Sequence, residues 1–593
     1  MKTLKEVIKK LLVLFDKREK KKLLILLGMM IVAAMLETLG IGLIVPFVGI
    51  VTNPNIVKEQ AVLSAIYEFF KFPSLHSFII FSVIILLFVF VFKNLYLFLF
   101  NYAQIRVVLN QQVKLSYKLF KEYLTKNYSF HLQRNTSELL RNINDEIPTV
   151  FQGIIISSFQ LFTEILVITC ISILLLVTAP FATIIASILL SGSIFLFFKI
   201  FRQKIKQLGE EEQKLKGTMI KWVNQGLGAT KEVKVSGKEN FFINAYTEQS
   251  RAKAINNRYM SMLEIVPRIF LETLLVAIVL ITLLIIVFQD INTTQLVSTM
   301  ALFAMAAFRL MPSINRVMGL VTTIRYSQPA LHVVYEDLIL TKEQFQDDDD
   351  KEVMNIEKDK RVFRDCIQLN DVSFHYPDQE EYSVKDVSLT IPIGQSVAFI
   401  GESGAGKTTL VDIILGLFRP EKGNVLVDGK KLSEQKALWQ NKIGYIPQSI
   451  YLSDDTIRGN VAFGLDGDMI DDQAVWSALE QAQLKDFVNG LPKKLDTFVG
   501  ENGIRLSGGQ RQRIGIARAL YHNPEILFMD EATSSLDNET EKEIMKAFDG
   551  LKGNKTLIII AHRLSTIENC DIVFKINKGR LISATNKLAE SIM

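Results

Sequence analysis

The sequence predicts a membrane α-helical domain fused to an α/β nucleotide-binding domain. The membrane part has six transmembrane helices with long cytoplasmic helical hairpins. Three observations predict this. Phe, Ile, Leu and Val crowd the first 325 residues into six stretches of membrane length. From Arg361 onward, short β-rich runs alternate with helical ones, the pattern of an α/β domain. Between those runs lies Gly401-Glu402-Ser403-Gly404-Ala405-Gly406-Lys407-Thr408, a Gly-rich turn leaving one apolar strand and entering one helix.

A chain of 593 residues is too long for one core. The net charge of +5 is small for that length and does not argue for nucleic acid. Lysines concentrate at the N-terminus, which points to a membrane surface. Cys170, Cys366 and Cys570 are scattered and odd in number, against a disulfide framework or a metal cluster.

Residues 1–22 read as an interfacial helix, with Leu4, Val7, Ile8, Leu11, Leu12 and Phe15 at helical spacing. The apolar stretch after them is too long for a signal peptide. A helix crosses a ~30 Å hydrocarbon core in about 20 residues. Residues 23–51, 78–102, 150–178, 181–198, 269–288 and 294–318 meet that test. Lysines before the first span place the N-terminus in the cytoplasm. An even number of spans then returns the Gly-rich turn to the same side. The outer turns near 179–180 and 289–292 are short, whereas 104–148 and 199–267 are long, polar and helix-permissive. The spans are therefore expected to continue as cytoplasmic hairpins with tips near 128–135 and 226–236. In the first outer loop, Val62, Ile66, Phe69 and Phe70 recur at i, i+4, i+7 and i+8, as in a short amphipathic helix on the outer surface. The expected layout is a transmembrane domain over 23–330, a linker over 331–362 and a nucleotide-binding domain over 363–593.

The Gly-rich turn has the residues a phosphate cradle needs. Gly401, Gly404 and Gly406 let backbone N–H groups turn inward, beside Ser403. The helix start adds partial positive charge, and Thr409 continues it. Lys407 is expected at the β- and γ-phosphates and Thr408 at Mg²⁺. The chain is thus expected to bind a nucleoside triphosphate. The strand 526–529 ends in Asp530, expected to hold Mg²⁺ through water, and Glu531, expected as general base. Ser507, Gly508, Gly509 and Gln510 precede a helical run and form a second phosphate clamp. Gln448 is placed to sense metal and water, His562 to reach a γ-phosphate, and Tyr376 to stack on adenine.

Together, in this order and spacing, these motifs resemble an ATP-binding cassette (ABC) transporter over essentially the whole chain. The matching pieces are Gly401–Thr408, Gln448, the signature Leu506-Ser507-Gly508-Gly509-Gln510, Met529-Asp530-Glu531, Ser534-Ser535-Leu536-Asp537 and His562. Val499-Gly500-Glu501 resembles a loop that exporters place beside the cytoplasmic hairpins. Six spans before one cassette resembles the half-exporter layout. The resemblance implies ATP and Mg²⁺ as cofactors. It also implies a dimer, since the signature of one cassette completes the site over the P-loop of the other. The motifs are all intact, which favours a homodimer.

Charges inside spans are functional hypotheses by default. Lys93 lies 15 residues after Phe78, and Arg309 lies 15 residues after Thr294. At about 1.5 Å per residue both sit roughly 22 Å deep. Arg268 lies near the inner boundary of the fifth span. Three cations from three helices fit a cavity for an anionic head group, with Glu37 or Glu164 available to pair with them. Arg268 and Glu272, four apart, are also spaced to neutralise each other. Glu37-Thr38-Leu39-Gly40-Ile41, Val45-Pro46-Phe47, Val266-Pro267-Arg268-Ile269 and Phe308-Arg309-Leu310-Met311-Pro312-Ser313 resemble segments of the bacterial lipid-linked oligosaccharide flippases. That resemblance implies a polyprenyl-pyrophosphate glycan as substrate, membrane lipids as partners and the bacterial inner membrane as location. Lys93 departs from the expected Arg and lacks its planar fork. The competing expectation is a general lipid or multidrug exporter.

Overall fold

A computed structural model describes residues 9–11, 13–52, 57, 61–178, 180–288, 293–340, 362–377, 379–530, 541–542, 548, 550–561, 567 and 570–586. The chain divides into two compact units. One comprises Met1–Lys126 and Arg134–Phe345; the other comprises Asn127–Gln133 and Gln346–Met593.

In the first unit, five long helices each contain one of the expected spans, and the third span, 150–178, starts in the π-helical turn Val150–Ile156 before its α-helix. The span helices are α1 (Lys17–Thr52), α3 (Leu75–Thr125), α5 (Ser157–Thr178), α6 (Pro180–Gly228), α8 (Glu239–Phe288) and α9 (Thr293–Tyr326); α2 (Ala61–Phe69) lies between α1 and α3. Among the described residues, Leu75–Thr125 and Thr136–Ile173 are apolar and long enough to cross a membrane by those criteria alone. The 51 residues of α3 reach roughly 75 Å, more than twice the hydrocarbon thickness. Its second half buries Val108, Leu115 and Leu119 together with Gln104 and Gln111, while Val113, Tyr117 and Leu124 remain exposed. The chain then turns through α4 (Tyr128–Gln133), at the first expected tip. At the second tip, α7 (Thr230–Ser236) is closed by Gly237, whose φ of 62° sets a left-handed cap.

The N-terminal stripe does not lie wholly on a membrane surface. Leu14 and Phe15 are buried, and Phe15 packs edge-on against Phe151 at 6.2 Å. Leu4, Val7, Ile8 and Leu12 lie outside the described residues. The first ten residues of the expected linker, 331–340, are helical. Helix α10 (Gln328–Tyr335) and the π-helical turn Glu336–Leu340 bury Leu331, Val334 and Leu338.

A buried carboxylate holds that turn. Asp337 is 3% exposed. The Tyr123 hydroxyl donates to it at 2.5 Å, Asn142 Nδ2 at 2.9 Å and Arg134 Nη2 at 3.4 Å. Burial and the neighbouring carboxylate push the Tyr123 phenol far up, so it stays a donor throughout the physiological range.

The second unit contains two sheets. The antiparallel one has strand order β2-β1-β4-β5, made of β1 (Cys366–Phe374), β2 (Val384–Pro392), β4 (Lys422–Val427) and β5 (Lys430–Lys431). The larger has order β10-β9-β3-β8-β7-β6. Its members are β3 (Ser396–Ile400), β6 (Ile443–Ile446), β7 (Ile526–Asp530), β8 (Thr556–Ile560), β9 (Ile572–Asn577) and β10 (Arg580–Asn586). Strands β9, β3, β8, β7 and β6 run parallel, and β10 is antiparallel to β9. Strands β7 and β8 are buried on both faces, which is why they read as unbroken apolar runs. Helices α11 (Lys407–Ile414) and α12 (Gly508–Leu520) pack their apolar faces against this core.

Candidate functional site: a nucleotide cradle and a set of membrane cations

Parallel strands bring several expected site residues to one edge. The P-loop leaves the carboxyl end of β3, Asp530 ends β7, and Gln448 follows β6. Ligands bind at such carboxyl ends. Within the loop, Gly401 and Gly406 have φ of 150° and 96°. A Cβ on Gly406 would lie 2.3 Å from the Ser383 carbonyl oxygen, and one on Gly401 would lie 2.1 Å from that of Ile576. Only glycine leaves the backbone free to close this loop.

Lys407 opens α11 and is buried. Its Nζ donates to the carbonyl oxygens of Gly401 and Glu402, each at 2.9 Å. The ammonium is therefore folded across its own loop. Thr408, Ser403 and Gly404 are exposed beside it, and Thr409 is buried. The Tyr376 hydroxyl and Thr409 Oγ1 are 3.1 Å apart. Tyr376 packs edge-on against Phe418 at 5.6 Å, and the ring of Tyr128 of α4 also lies 5.6 Å from that of Phe418. The first tip thus reaches the aromatic platform beside the P-loop within one compact unit.

Asp412, one turn into α11, went unnoticed in the sequence. Burial, with the Asp530 carboxylate nearby, pushes it up to about 7. The exposed Thr408 hydroxyl, the Asp530 carboxylate and the exposed Gln448 amide are oxygen donors of the kind Mg²⁺ takes. Glu531 and His562 lie outside the described residues.

At the signature, Ser507 Oγ accepts from Gln510 N at 3.3 Å and Gln510 Oε1 accepts from Ser507 N at 2.9 Å. This reciprocal cap starts α12 and leaves Gly508 and Gly509 at its N-terminus. Arg518 anchors the other end, with Nε 2.8 Å from Asn460 O and Nη1 2.8 Å from Tyr451 O.

In the membrane unit, Lys93 Nζ lies 4.7 Å from the Phe90 ring centroid. A Cβ on Gly40 would lie 3.5 Å from Lys93 Cδ, so the lysine stem runs against α1 one turn from Glu37. Arg268 is exposed and forms no ion pair with Glu272. The sequence left Glu164 open as a partner for these cations. Instead it binds Arg316, with Nε 2.6 Å from Oε1 and Nη2 3.3 Å from Oε2. The side chain of Arg309 lies outside the described residues. In the outer loop, α2 packs Leu63 and Tyr67 against α1 and α3, while Ile66, Phe69 and Phe70 are exposed. Phe69 is 80% exposed. The side chain of Val62 is not among those described.

Residues 22–311 match the family model of the ABC transporter transmembrane region, and residues 384–534 match that of the ABC transporter. An ATP-dependent lipid A-core flippase of Cupriavidus metallidurans is 31% identical over 474 residues, covering 79% of this chain and 78% of that protein. The chain belongs to the ABC exporter family. A flippase of the same name from Saccharophagus degradans is 30% identical, covering 82% of this chain and 80% of that one. The structure of a bacterial Atm1-family ABC exporter with ATP bound matches with a TM-score of 0.79 at 24% identity, over 97% of this chain and 96% of that chain.

This ABC exporter is accordingly a half-transporter, a membrane domain fused to one cytoplasmic ATPase domain that couples ATP hydrolysis to transport. The sequence reading missed Arg316, though its spacing of seven residues from Arg309 is that of one helix face. It also missed Asp337, whose three donors come from distant parts of the chain and leave no local signal.

Proposed function

We propose that the exporter flips a lipid-linked oligosaccharide, a polyprenyl-pyrophosphate glycan, across the bacterial inner membrane by alternating access. The observation that carries this is that two of its membrane cations, Lys93 and Arg268, form no ion pair among the described residues. Lys93 lies on the Phe90 ring rather than on a carboxylate, whereas Glu164 is taken by Arg316. Uncompensated cations in a membrane unit favour an anionic ligand. Arg309 is assigned to the same cavity from its depth in the sixth span. The exposed Ile66, Phe69 and Phe70 support contact between α2 and lipid.

The working unit is a homodimer. One chain supplies one P-loop and one signature, and the exposed tip α7 supports a second copy: Val235 there is 82% exposed. Two ATP molecules between two cassettes close them. Lys407 and the P-loop amides hold the phosphates, and Ser507 with the start of α12 contacts them from the partner. Thr408, Asp530 and Gln448 would hold Mg²⁺, which would supply charge neutralisation at the phosphates. Glu531 takes the proton from the attacking water, with His562 on the γ-phosphate. The tips transmit closure to the spans, the cavity opens outward, and hydrolysis resets the dimer.

The relatives' name, lipid A-core flippase, supports a second reading in which the cargo is a lipid of the kind those proteins are named for. ATPase rates in reconstituted vesicles separate the two. The proposal expects several-fold stimulation by a polyprenyl-pyrophosphate oligosaccharide, lost in Lys93→Ala and Arg268→Ala. Equal stimulation by neutral lipids, retained in those variants, contradicts it.

A further inference from the structure

The inner ends of α6, α8 and α9 enclose an apolar groove of about 350 Å³, walled by Phe197, Phe201, Tyr259, Val266, Pro267 and Phe270. Its upper residues belong to the inner ends of the fourth and fifth spans. Its lower end meets cations. Lys204 Nζ lies 5.7 Å from the centroid of the groove-lining Tyr259. Arg325 Cζ lies 5.2 Å from the ring of Phe198, which packs edge-on against Phe197 at 5.3 Å. Arg202 follows groove-lining Phe201.

No carboxylate offsets these charges among the described residues. Partial burial lowers the pKa of Arg325, Arg202 lowers it further, and no acidic group acts in the opposite sense. Glu264, next to groove-lining Leu263 on α8, is raised by desolvation. Arg202 on α6 and Arg325 on α9, the latter partly buried on the Phe198 ring, are like charges that an anion would compensate. An apolar slot leading to paired arginines at the cytoplasmic boundary matches one chemistry, an acyl chain carrying a phosphate.

We propose that this groove binds an anionic phospholipid of the inner leaflet, with its acyl chain between the aromatic walls and its phosphate at Arg202 and Arg325. Lys204 sits at head-group level beside them. The site uses neither Lys93 nor the nucleotide cradle, so it stands whichever lipid the exporter moves.

The test is retention of phosphatidylglycerol and of phosphatidylcholine by the purified full-length exporter, titrated in detergent and read by native mass spectrometry. The wild type is expected to retain phosphatidylglycerol preferentially. The double variant Arg202→Ala, Arg325→Ala is expected to lose about tenfold or more of that affinity, from two charge-assisted hydrogen bonds. Its retention of phosphatidylcholine stays unchanged. Met262→Trp, which fills the groove, lowers retention of both lipids. Removing like charges does not destabilise the fold, so the double variant keeps its Tm without lipid and loses only the rise that phosphatidylglycerol confers. Unchanged preference in the double variant overturns the site. So does displacement of the lipid by inorganic phosphate at millimolar levels, which would mark a free-anion site. Loss of the dimer with lipid retention intact would assign the arginines to the partner subunit instead.

Discussion

Lys407→Ala abolishes ATP hydrolysis, lowering the rate by about 100-fold or more. The reason is where the ammonium already sits. It is buried, and it is held by two carbonyl oxygens of its own loop at 2.9 Å each. The desolvation of that charge is met in the fold itself, and phosphate oxygens need only replace carbonyl ones. Removing a preorganised donor from developing negative charge costs about 10²–10³ in rate. The carbonyls left behind can accept from water, so the fold loses little. Phosphate release and Tm measured on the same preparation check both halves. A rate within tenfold of wild type, at unchanged Tm, contradicts the placement of Lys407.

Asp337→Ala has the largest expected effect on stability in the membrane unit, about 2–4 kcal/mol. Alanine leaves the buried Tyr123 hydroxyl without its acceptor, takes one of the two acceptors of Asn142 Nδ2, and removes the nearer of the two carboxylates beside Arg134. Asp337→Asn keeps the shape and one acceptor oxygen, so its cost is smaller. Combining Asp337→Asn with Tyr123→Phe costs less than the sum of the two, because both remove the same contact. Thermal unfolding of wild type, Asp337→Ala, the two single variants and the double variant reads this directly. Strict additivity, or a midpoint for Asp337→Ala equal to wild type, contradicts a shared buried network.

Much of the fold was legible because period and punctuation agree. Five of the apolar stretches fall inside single long helices, the third starts in a π-helical turn, and the runs at 396–400, 526–529 and 556–561 are parallel strands of one sheet. The nucleotide site was legible because its residues are close in sequence and chemically constrained. Gly406 must be glycine where a Cβ would meet Ser383 O.

Pairings between distant segments were not legible. Glu164 and Arg316 lie on different helices, and only packing decides that they meet. Asp412 reads as an ordinary polar position of α11 until β7 places Asp530 nearby. Leu331 to Leu340 read as linker because the stretch is short and mixed, whereas its burial comes from α10 and the turn around Asp337.

The most direct test of the central claim is flipping of a polyprenyl-pyrophosphate oligosaccharide in proteoliposomes with ATP. Wild type is compared with Glu531→Gln and with Lys93→Ala, Arg268→Ala and Arg309→Ala. The account predicts ATP-dependent flipping that is absent in Glu531→Gln and impaired in the three cation variants, which keep their basal ATPase. ATP hydrolysis without flipping of this lipid in the wild type, together with stimulation by neutral lipids or drugs, would contradict it.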